Sequence, residues 1–235
     1  MMKTEISIIL PTYNEADNIV PLIEKIIHYL NKYHYEVILI DDNSPDGTAQ
    51  RVSDRFKKQK EIKVYIRKTD LGLAKAIRFG VNKSCGEFII AMDTDFNHNP
   101  KDIFSLLTYR NSFDMVVGSR YIKGGGMENR IRYYLSSVYN QAIRQILKLS
   151  TCDNLSGFFL IKRKKLLLLP ADKIYFGYGD YFIRLLFFAN QLKFTIKEIP
   201  VFYKNRFFGQ SKSNFISMFI DYSKTVLQLL FNEKN

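Results

Sequence analysis

Short apolar segments alternate with amphipathic segments of helical length through the first part of the chain, and this alternation limits the folds available to it. The apolar segments have the length and composition of buried strands and cover residues 5–10, 36–40, 63–67 and 88–92. The segments between them have helical spacing and cover residues 19–30, 48–60 and 73–82. Strands and helices that alternate in this way predict a parallel sheet with helices packed on its faces.

Acidic and polar residues directly follow three of these strands. They are Tyr13-Asn14-Glu15, Asp41-Asp42 and Asp93-Thr94-Asp95. Ligands of parallel α/β sheets bind at the carboxyl ends of the strands, so we expect these residues to share a site. Two carboxylates at the end of a buried strand are costly unless positive charge offsets them, and a Mg²⁺ or Mn²⁺ ion with oxygen ligands would do so. The competing interpretation is an Asp- and Asn-rich turn that only ends the strand.

Composition narrows the class of protein and its partners. The chain has 235 residues, a formal charge of +12 and a pI near 9.5, so anionic partners such as nucleotide phosphates or anionic lipid are expected. The basic residues are dispersed and no RNA- or DNA-binding motif is found, so no nucleic-acid partner is expected. Two cysteines, Cys85 and Cys152, argue against a disulfide scaffold and favour a reducing cytoplasm. No apolar run approaches the length of a membrane span, so we expect a soluble or peripheral protein.

The pattern changes in the second half of the chain. Strands are predicted over 114–119, 158–162 and 194–203, the last around Pro200 and therefore at a sheet edge. Two long amphipathic helices are predicted at about 128–149 and 213–231. The apolar stripe of the first comprises Ile131, Leu135, Val138, Ala142, Ile146 and Leu149, and that of the second comprises Phe215, Met218, Phe219, Tyr222, Val226, Leu229 and Leu230. They would either cover the core or a partner subunit, which allows a homo-oligomer, or lie on an anionic membrane surface. We therefore expect a catalytic domain over 1–212 and a C-terminal helix in 213–235, with attachment to a membrane peripheral only.

Seven motifs occur in the order found in family 2 glycosyltransferases. They are ILPTYNE (9–15), LIDDNSPDGT (39–48), TDLGLAKA (69–76), MDTDFNHNP (92–100), GSRYIKGGG (118–126), DNLSGF (153–158) and NRFFGQSK (205–212). Over most of its length the chain resembles the dolichol-phosphate mannose synthase branch, which includes polyprenyl-phosphate sugar transferases. The resemblance implies a Rossmann-like GT-A fold, with a mostly parallel central sheet flanked by helices. It also implies inverting transfer of mannose or glucose from GDP-mannose or a UDP-sugar to a polyprenyl or dolichyl monophosphate, at the cytoplasmic face of a membrane.

The resemblance also implies the residues of the donor site. The nucleotide sugar would be bound by Pro11, Tyr13, Glu15, Asp41, Asp42, Asp93, Thr94 and Asp95. The metal cofactor, Mg²⁺ or Mn²⁺, would be held by Asp93 and Asp95. Asn97 stands where the family has a longer Gln that can reach the metal. His98 is interpreted as a turn residue, because hard cations prefer oxygen ligands.

The resemblance also implies that basic residues bind the acceptor. The phosphate of the acceptor would be bound by Arg120, Arg132, Ser136, Arg206, Ser211 and Lys212. Catalysis would depend on Asp95, Arg120, Arg206 and Lys212. Arginine can hold a phosphate through two hydrogen bonds, and lysine supplies a mobile charge. The competing interpretation is that these are solvated surface charges among the 35 Lys and Arg residues of the chain.

Other functions are compatible with the same residues. A transferase of this fold that acts on a sugar hydroxyl of a glycan or cell-wall acceptor would need a general base, for which Asp153 and Asp180 are candidates. A phosphate monoester needs no strong base, because its second pKa is about 6 and it is mostly ionised at neutral pH. An inactive scaffold that binds a nucleotide sugar without turnover is a further alternative.

Overall fold

The strands of the protein form where the apolar segments of the sequence lie. The computed structural model describes residues 4–204, which contain all of these strands, and residues 215–232, which form one helix. In chain order the strands are β1 (Ile6–Thr12), β2 (Tyr35–Asp41), β3 (Ile62–Ile66), β4 (Phe88–Ala91), β5 (Met115–Ser119), β6 (Gly126–Met127), β7 (Phe159–Lys162), β8 (Ile196–Pro200) and β9 (Phe202–Tyr203). The short strands β6 and β9 pair with each other and form a small separate sheet.

Helices connect most of the strands. They are α1 (Ile19–Leu30), α2 (Thr48–Arg55), α3 (Leu73–Lys83), α4 (Ile103–Thr108), α5 (Arg130–Leu147), α6 (Arg163–Leu166), α7 (Ala171–Ile174), α8 (Tyr181–Gln191) and α9 (Phe215–Asn232). A turn of 3₁₀ helix, Pro100–Asp102, precedes α4. None of the helices in the described ranges combines the length and apolar character that crossing a bilayer requires.

The main sheet has seven strands in the order β3-β2-β1-β4-β7-β5-β8. Its neighbours are parallel except where β7 lies antiparallel between β4 and β5. The expected mostly parallel sheet flanked by helices is therefore confirmed. The chain winds outward from β1 to β3 on one side and continues through β4 on the other side. This reversal opens a crevice at the carboxyl ends of β1 and β4, the place where open α/β sheets bind ligands.

Two apolar layers cover the faces of the sheet, because successive strand residues point to opposite sides. Ile9 packs with residues of α3, α5 and α8, whereas its neighbours Ile8 and Leu10 pack with residues of α1 and α4. All three strand side chains are completely buried. The sheet is thus rigid on both faces, and the loops at its carboxyl edge are left to form the site.

Some predicted boundaries were wrong. The strand predicted over 194–203 is two strands in different sheets, β8 and β9, although β8 with Pro200 does lie at the sheet edge. The helix predicted over 48–60 ends at Arg55, and the helical stretch 100–108 was not anticipated. These boundaries depend on packing against other elements, which a local pattern does not record.

The two amphipathic helices differ in how they use their apolar residues. Helix α9 buries Tyr222, Val226 and Leu229, as its pattern indicated. Helix α5 instead buries Asn140, Ile143 and Leu147. The apolar stripe anticipated on α5 faces outward, with Ile131, Leu135 and Val138 exposed by 76%, 70% and 70%.

Candidate active site

A cleft of about 1030 Å³ opens at the carboxyl ends of β1, β2 and β4. It brings together most of the residues anticipated from the sequence: Pro11, Tyr13, Glu15, Asp42, Asp93, Thr94, Asp95, Asn97, Arg120 and Arg132 line it. Asp41 and Ser136 lie outside this lining. Arg206, Ser211 and Lys212 lie outside the described residues, so their predicted roles stay predictions.

The loop after β4 presents its two carboxylates in different environments. Asp95 is buried and accepts hydrogen bonds from the backbone N–H of Asn97 (3.0 Å) and from its side-chain amide (2.8 Å). The Asp93 side chain is 44% exposed and lines the cleft. The Asn97 amide thus orients the buried carboxylate of Asp95, while the carboxylate of Asp93 lies on the surface of the cleft.

The donor atoms of this loop suit a hard divalent cation. Two carboxylates and one amide oxygen are the ligand types that Mg²⁺ and Mn²⁺ prefer. Within the described ranges, however, no cluster of three or more His, Cys, Asp or Glu side chains is placed to hold a metal ion. A cation bound at this loop would therefore complete its coordination with water and with ligands from a bound diphosphate.

His98 connects this loop to the opposite wall of the cleft, a role that its interpretation as a turn residue missed. Its Nδ1 accepts the backbone N–H of Asp93 at 2.8 Å, and its Nε2 lies 2.7 Å from the Tyr203 hydroxyl and 3.2 Å from the Ser156 carbonyl oxygen. The ring stacks on Phe158, with centroids 5.0 Å apart. Burial lowers the pKa of His98 to about 4, so the imidazole is neutral at neutral pH.

The two aspartates after β2 organise loops. Asp41 is buried and accepts hydrogen bonds from the backbone N–H (3.0 Å) and the hydroxyl of Ser44, and burial raises the pKa of its carboxyl. Asp42 lines the cleft but is paired with Arg67, whose Nε lies 2.8 Å from its Oδ1, and it also accepts the Gly72 N–H at 2.7 Å. Arg67 was not singled out from the sequence, because its partner lies 25 residues away.

The Asp-Asn-Ser-Pro-Asp-Gly turn (42–47), together with Thr48, holds the loop that follows β1. The backbone N–H groups of Asn14, Glu15 and Ala16 donate to the side chains of Ser44 (2.9 Å), Thr48 (2.9 Å) and Asp46 (3.1 Å). Asp46 also accepts the N–H of Thr48, the first residue of α2, at 3.0 Å. These bonds place Tyr13 and Glu15 at the rim of the cleft.

Arg120 forms a buried ion pair with Asp153. Its Nε and Nη2 lie 2.7 Å from Oδ2 and Oδ1 of Asp153, and its backbone N–H donates to the same carboxylate at 3.0 Å. Burial by itself would lower the pKa of Arg120, but the charge of Asp153 and its hydrogen bonds more than offset this and raise it. The guanidinium also lies 4.6 Å from the ring centroid of Tyr203. Arg120 therefore reaches the cleft as half of an ion pair, not as a separate positive charge.

The other acceptor-side residues have different surroundings. Arg132 is exposed at the cleft, in the first turn of α5, and its backbone N–H donates to the capping side chain of Asn129 (3.0 Å). The Ser136 hydroxyl bonds to Tyr121 Oη at 2.5 Å and to the Arg132 carbonyl at 2.6 Å. Ser136 thus links α5 to the segment directly after β5 that bears Arg120.

Both candidate general bases, Asp153 and Asp180, form ion pairs with buried arginines. Asp153 is completely buried against Arg120. Asp180 is buried too, with its Oδ2 2.6 Å from Nη1 of Arg184 and 2.9 Å from the hydroxyl of Thr225 in α9. Each carboxylate is engaged by a buried arginine and neither lines the cleft, so neither residue is placed to accept a proton from a substrate hydroxyl.

Comparison with known proteins gives one family match. Residues 7–168 match the model of glycosyl transferase family 2. A dolichol-phosphate mannosyltransferase of Pyrococcus furiosus is 34% identical over 169 residues, which are 68% of this chain and 47% of the relative. A dolichol-phosphate mannosyltransferase of Saccharomyces cerevisiae is 29% identical over 171 residues, 70% of this chain and 63% of the relative. This chain thus spans between about half and two thirds of the length of these relatives.

Among solved structures, the fold is similar to that of glucosyl-3-phosphoglycerate synthase from Mycobacterium tuberculosis. A crystal structure of that enzyme with Mn²⁺, uridine diphosphate and phosphoglyceric acid superposes with a TM-score of 0.70. The alignment covers 98% of this chain and 78% of the other, at 19% identity. At this identity the likeness establishes the GT-A fold.

Proposed function

Because this chain belongs to glycosyl transferase family 2, we propose that it moves a sugar, mannose or glucose, from a nucleoside diphosphate donor to a polyprenyl or dolichyl monophosphate, with inversion at the anomeric carbon. The two curated relatives described above are named for that acceptor class. The observation that carries the choice of acceptor is the pairing of Asp153 and Asp180 with buried arginines. A phosphate nucleophile needs no general base, whereas a sugar hydroxyl does.

The donor occupies the side of the cleft formed by the loops after β1, β2 and β4. The residues that surround the nucleoside are Pro11, Tyr13, Glu15 and Asp42. Asp41 does not line the cleft, but it accepts the N–H of Ser44 and so stabilises the loop after β2. The sugar diphosphate lies at Asp93, Thr94 and Asp95. Mg²⁺ or Mn²⁺ held by Asp93, Asp95 and the amide oxygen of Asn97 would neutralise charge that develops on the leaving diphosphate.

The acceptor phosphate lies on the opposite side, near the first turn of α5. Arg132 lines this part of the cleft, as does Lys204, which directly precedes the segment carrying Arg206, Ser211 and Lys212. These cations orient the phosphate oxygen towards the anomeric carbon, so catalysis is mainly a matter of position and charge. Arg120 contributes through its bonds to Asp153 and its contact with Tyr203, which hold this wall in place.

The direct test measures transfer of labelled sugar from GDP-mannose and from UDP-glucose to dolichyl phosphate, with and without Mn²⁺. Asp95→Ala abolishes transfer while the protein stays folded, and Asp172→Ala, at an exposed carboxylate outside the cleft lining, serves as the matched control. Turnover by Asp95→Ala in the presence of metal would contradict the donor site. Wild-type transfer that is equally fast to a dolichol without phosphate would favour the hydroxyl-acceptor alternative.

The exposed stripe of α5 is the surface that we assign to the membrane. Ile131, Leu135 and Val138 lie on one side of the helix, with the exposed Arg130 and Arg132 in its first turn. Apolar side chains next to arginines match an interface of anionic lipid, and the net charge of +12 adds long-range attraction. The acceptor would then reach the cleft from the bilayer surface.

Flotation with vesicles tests this surface. The wild type floats with vesicles that contain phosphatidylserine and less with phosphatidylcholine alone, and added salt weakens the binding. Leu135→Glu removes flotation without loss of thermal stability, because the side chain is exposed. If Leu135→Glu instead dissociates a dimer in sedimentation and leaves flotation unchanged, the stripe is a subunit interface.

A further inference from the structure

One buried hydroxyl joins three segments that line or support the cleft. Tyr203 Oη lies 2.7 Å from His98 Nε2 in the loop after β4, and 2.9 Å from both the carbonyl oxygen and the hydroxyl of Ser156. Tyr203 itself belongs to β9, one residue before Lys204. The phenol is thus the meeting point of the loop that carries Asp93 and Asp95, the loop that carries Ser156, and the strand that leads to the basic acceptor segment.

The protons of this network can be assigned. His98 Nδ1 accepts the Asp93 N–H, so the ring N–H that donates to Tyr203 is on Nε2. The tyrosine hydroxyl then donates to the Ser156 carbonyl, and the Ser156 hydroxyl is positioned to donate to the tyrosine oxygen. Each group has a complementary partner, and a fully satisfied buried network holds its members in one arrangement.

The rings of the network are also confined. His98 stacks on Phe158, and the ring of Tyr203 lies under the guanidinium of Arg120, which Asp153 holds through two hydrogen bonds. Rotating either ring would break buried hydrogen bonds, since Tyr203 is 8% exposed and His98 is 1% exposed. The network therefore behaves as a spacer between the two walls of the cleft.

We propose that the Tyr203 hydroxyl and His98 are positioning groups that set the distance between the carboxylates of Asp93 and Asp95 and the acceptor wall at Ser156 and Lys204. This rests on the proposed function, because it assigns the donor to one wall and the acceptor phosphate to the other. Neither group touches the substrates in this assignment. Their effect is on the alignment of the phosphate oxygen with the anomeric carbon, to which transfer rates are sensitive.

The test removes single atoms of the network. Tyr203→Phe deletes the hydroxyl and keeps the ring under Arg120, while His98→Asn keeps an acceptor near Nδ1 for Asp93 and removes the donor to Tyr203. The matched control is Tyr175→Phe, because Tyr175 is equally buried and its hydroxyl has no hydrogen-bond partner in the described structure. Amide hydrogen exchange is followed in peptides covering 93–98 and 153–158, and binding of Mn²⁺ with uridine or guanosine diphosphate is followed by calorimetry.

We expect Tyr203→Phe to speed exchange in both peptides by about tenfold, with the rest of the chain unchanged, because the buried hydrogen bonds of the hydroxyl are lost. The kcat for transfer falls about 10- to 100-fold while the donor KM stays within about twofold. The double variant Tyr203→Phe/His98→Asn loses little more than either single variant, because both cut the same connection. Tyr175→Phe changes none of these quantities.

Three results would overturn the inference. They are unchanged exchange and kcat in Tyr203→Phe, faster exchange across the whole chain, and fully additive effects in the double variant. A wild type that transfers no sugar to a polyprenyl phosphate would remove the proposed function alone. In that case local exchange and the affinity for Mn²⁺ and nucleotide still decide whether the network holds the two walls.

Discussion

At the scale of single residues, two arginine–aspartate ion pairs near the cleft are buried. Arg120 with Asp153 and Arg184 with Asp180 are each less than 9% exposed, and each arginine also lies against an aromatic ring. Removing one partner of such a pair leaves an isolated buried charge, which costs more than the pair contributes. These residues therefore set the shape of the acceptor side before any ligand binds.

Asp153→Asn tests this directly. The substitution keeps the size of the side chain but leaves the Arg120 guanidinium buried without its counter-charge, so we expect the free energy of unfolding to fall by about 3–5 kcal/mol. Urea unfolding at neutral pH measures it. Asp17→Asn, at an exposed pair with Arg51, should cost about 1 kcal/mol or less. Equal effects of the two substitutions would contradict the burial of the Arg120 pair.

Asp102 predicts a dependence of stability on pH. Burial raises the pKa of Asp102 to about 6, only partly opposed by the charge of Lys101. Because this is above the ordinary value of 3.8, ionisation of Asp102 destabilises the folded state, and the penalty grows as the pH rises from about 4 to about 6. Asp102→Asn should therefore raise the unfolding free energy at pH 7 by about 1–2 kcal/mol, a value reduced for partial exposure.

The same substitution should have almost no effect at pH 4, where the carboxyl is mostly protonated in the folded protein. Chemical unfolding of both forms at several pH values gives the difference. A stabilisation that is constant across the range would show that the gain comes from helix capping and not from the carboxyl charge.

At the scale of elements, the position of α3 depends on close approach to the sheet. A Cβ atom on Gly80 would lie 2.6 Å from Cγ2 of Ile9 and 2.9 Å from Cδ1 of Ile40. Glycine therefore lets α3 pack directly on β1 and β2. This contact matters for the site, because α3 begins next to Gly72, whose N–H is bound by Asp42.

Gly80→Val should lower the unfolding free energy by about 1–3 kcal/mol, since both isoleucines must move to admit the new side chain. Asn82→Val places the same side chain on the exposed face of the same helix and controls for helix propensity. Thermal and urea unfolding compare the two. If they have the same stability, the sheet can accommodate the added volume without cost.

At the scale of the whole molecule, the cleft lies between loops from different parts of the chain, so ligands should stabilise the fold as a unit. Mn²⁺ with uridine or guanosine diphosphate at 100 times its Kd should stabilise the protein by about 2.7 kcal/mol, which is about 5–10 °C in Tm for a chain of this size. Thermal shift with each nucleotide identifies the preferred base.

Mn²⁺ without nucleotide should give only a small shift, because the described residues supply two carboxylates and one amide at the metal loop. Asp95→Ala should remove the dependence on metal. A full shift with the ion by itself would contradict a site that the diphosphate completes.

Much of the donor side was predictable from the sequence, because it depends on local patterns. Apolar runs specified β1 to β4, and polar residues after three of them placed Tyr13, Asp42 and Asp93 at one edge of a parallel sheet. The residues from Asp42 to Gly47 form a turn, as their Asp, Asn, Pro and Gly content favours. In each case the information lies within a few residues of the position it determines.

The acceptor side depended on partners far apart in the chain, and only the tertiary structure decided it. The sequence did not indicate that Asp153 lies against Arg120 or that His98 reaches Tyr203, which are separated by 33 and 105 residues. The antiparallel insertion of β7 was equally hidden, and the sequence left open whether the apolar stripe of α5 is buried or exposed. Periodicity identifies an apolar face and a strand, but the pairing of faces, strands and buried charges is selected by the packing of the whole chain.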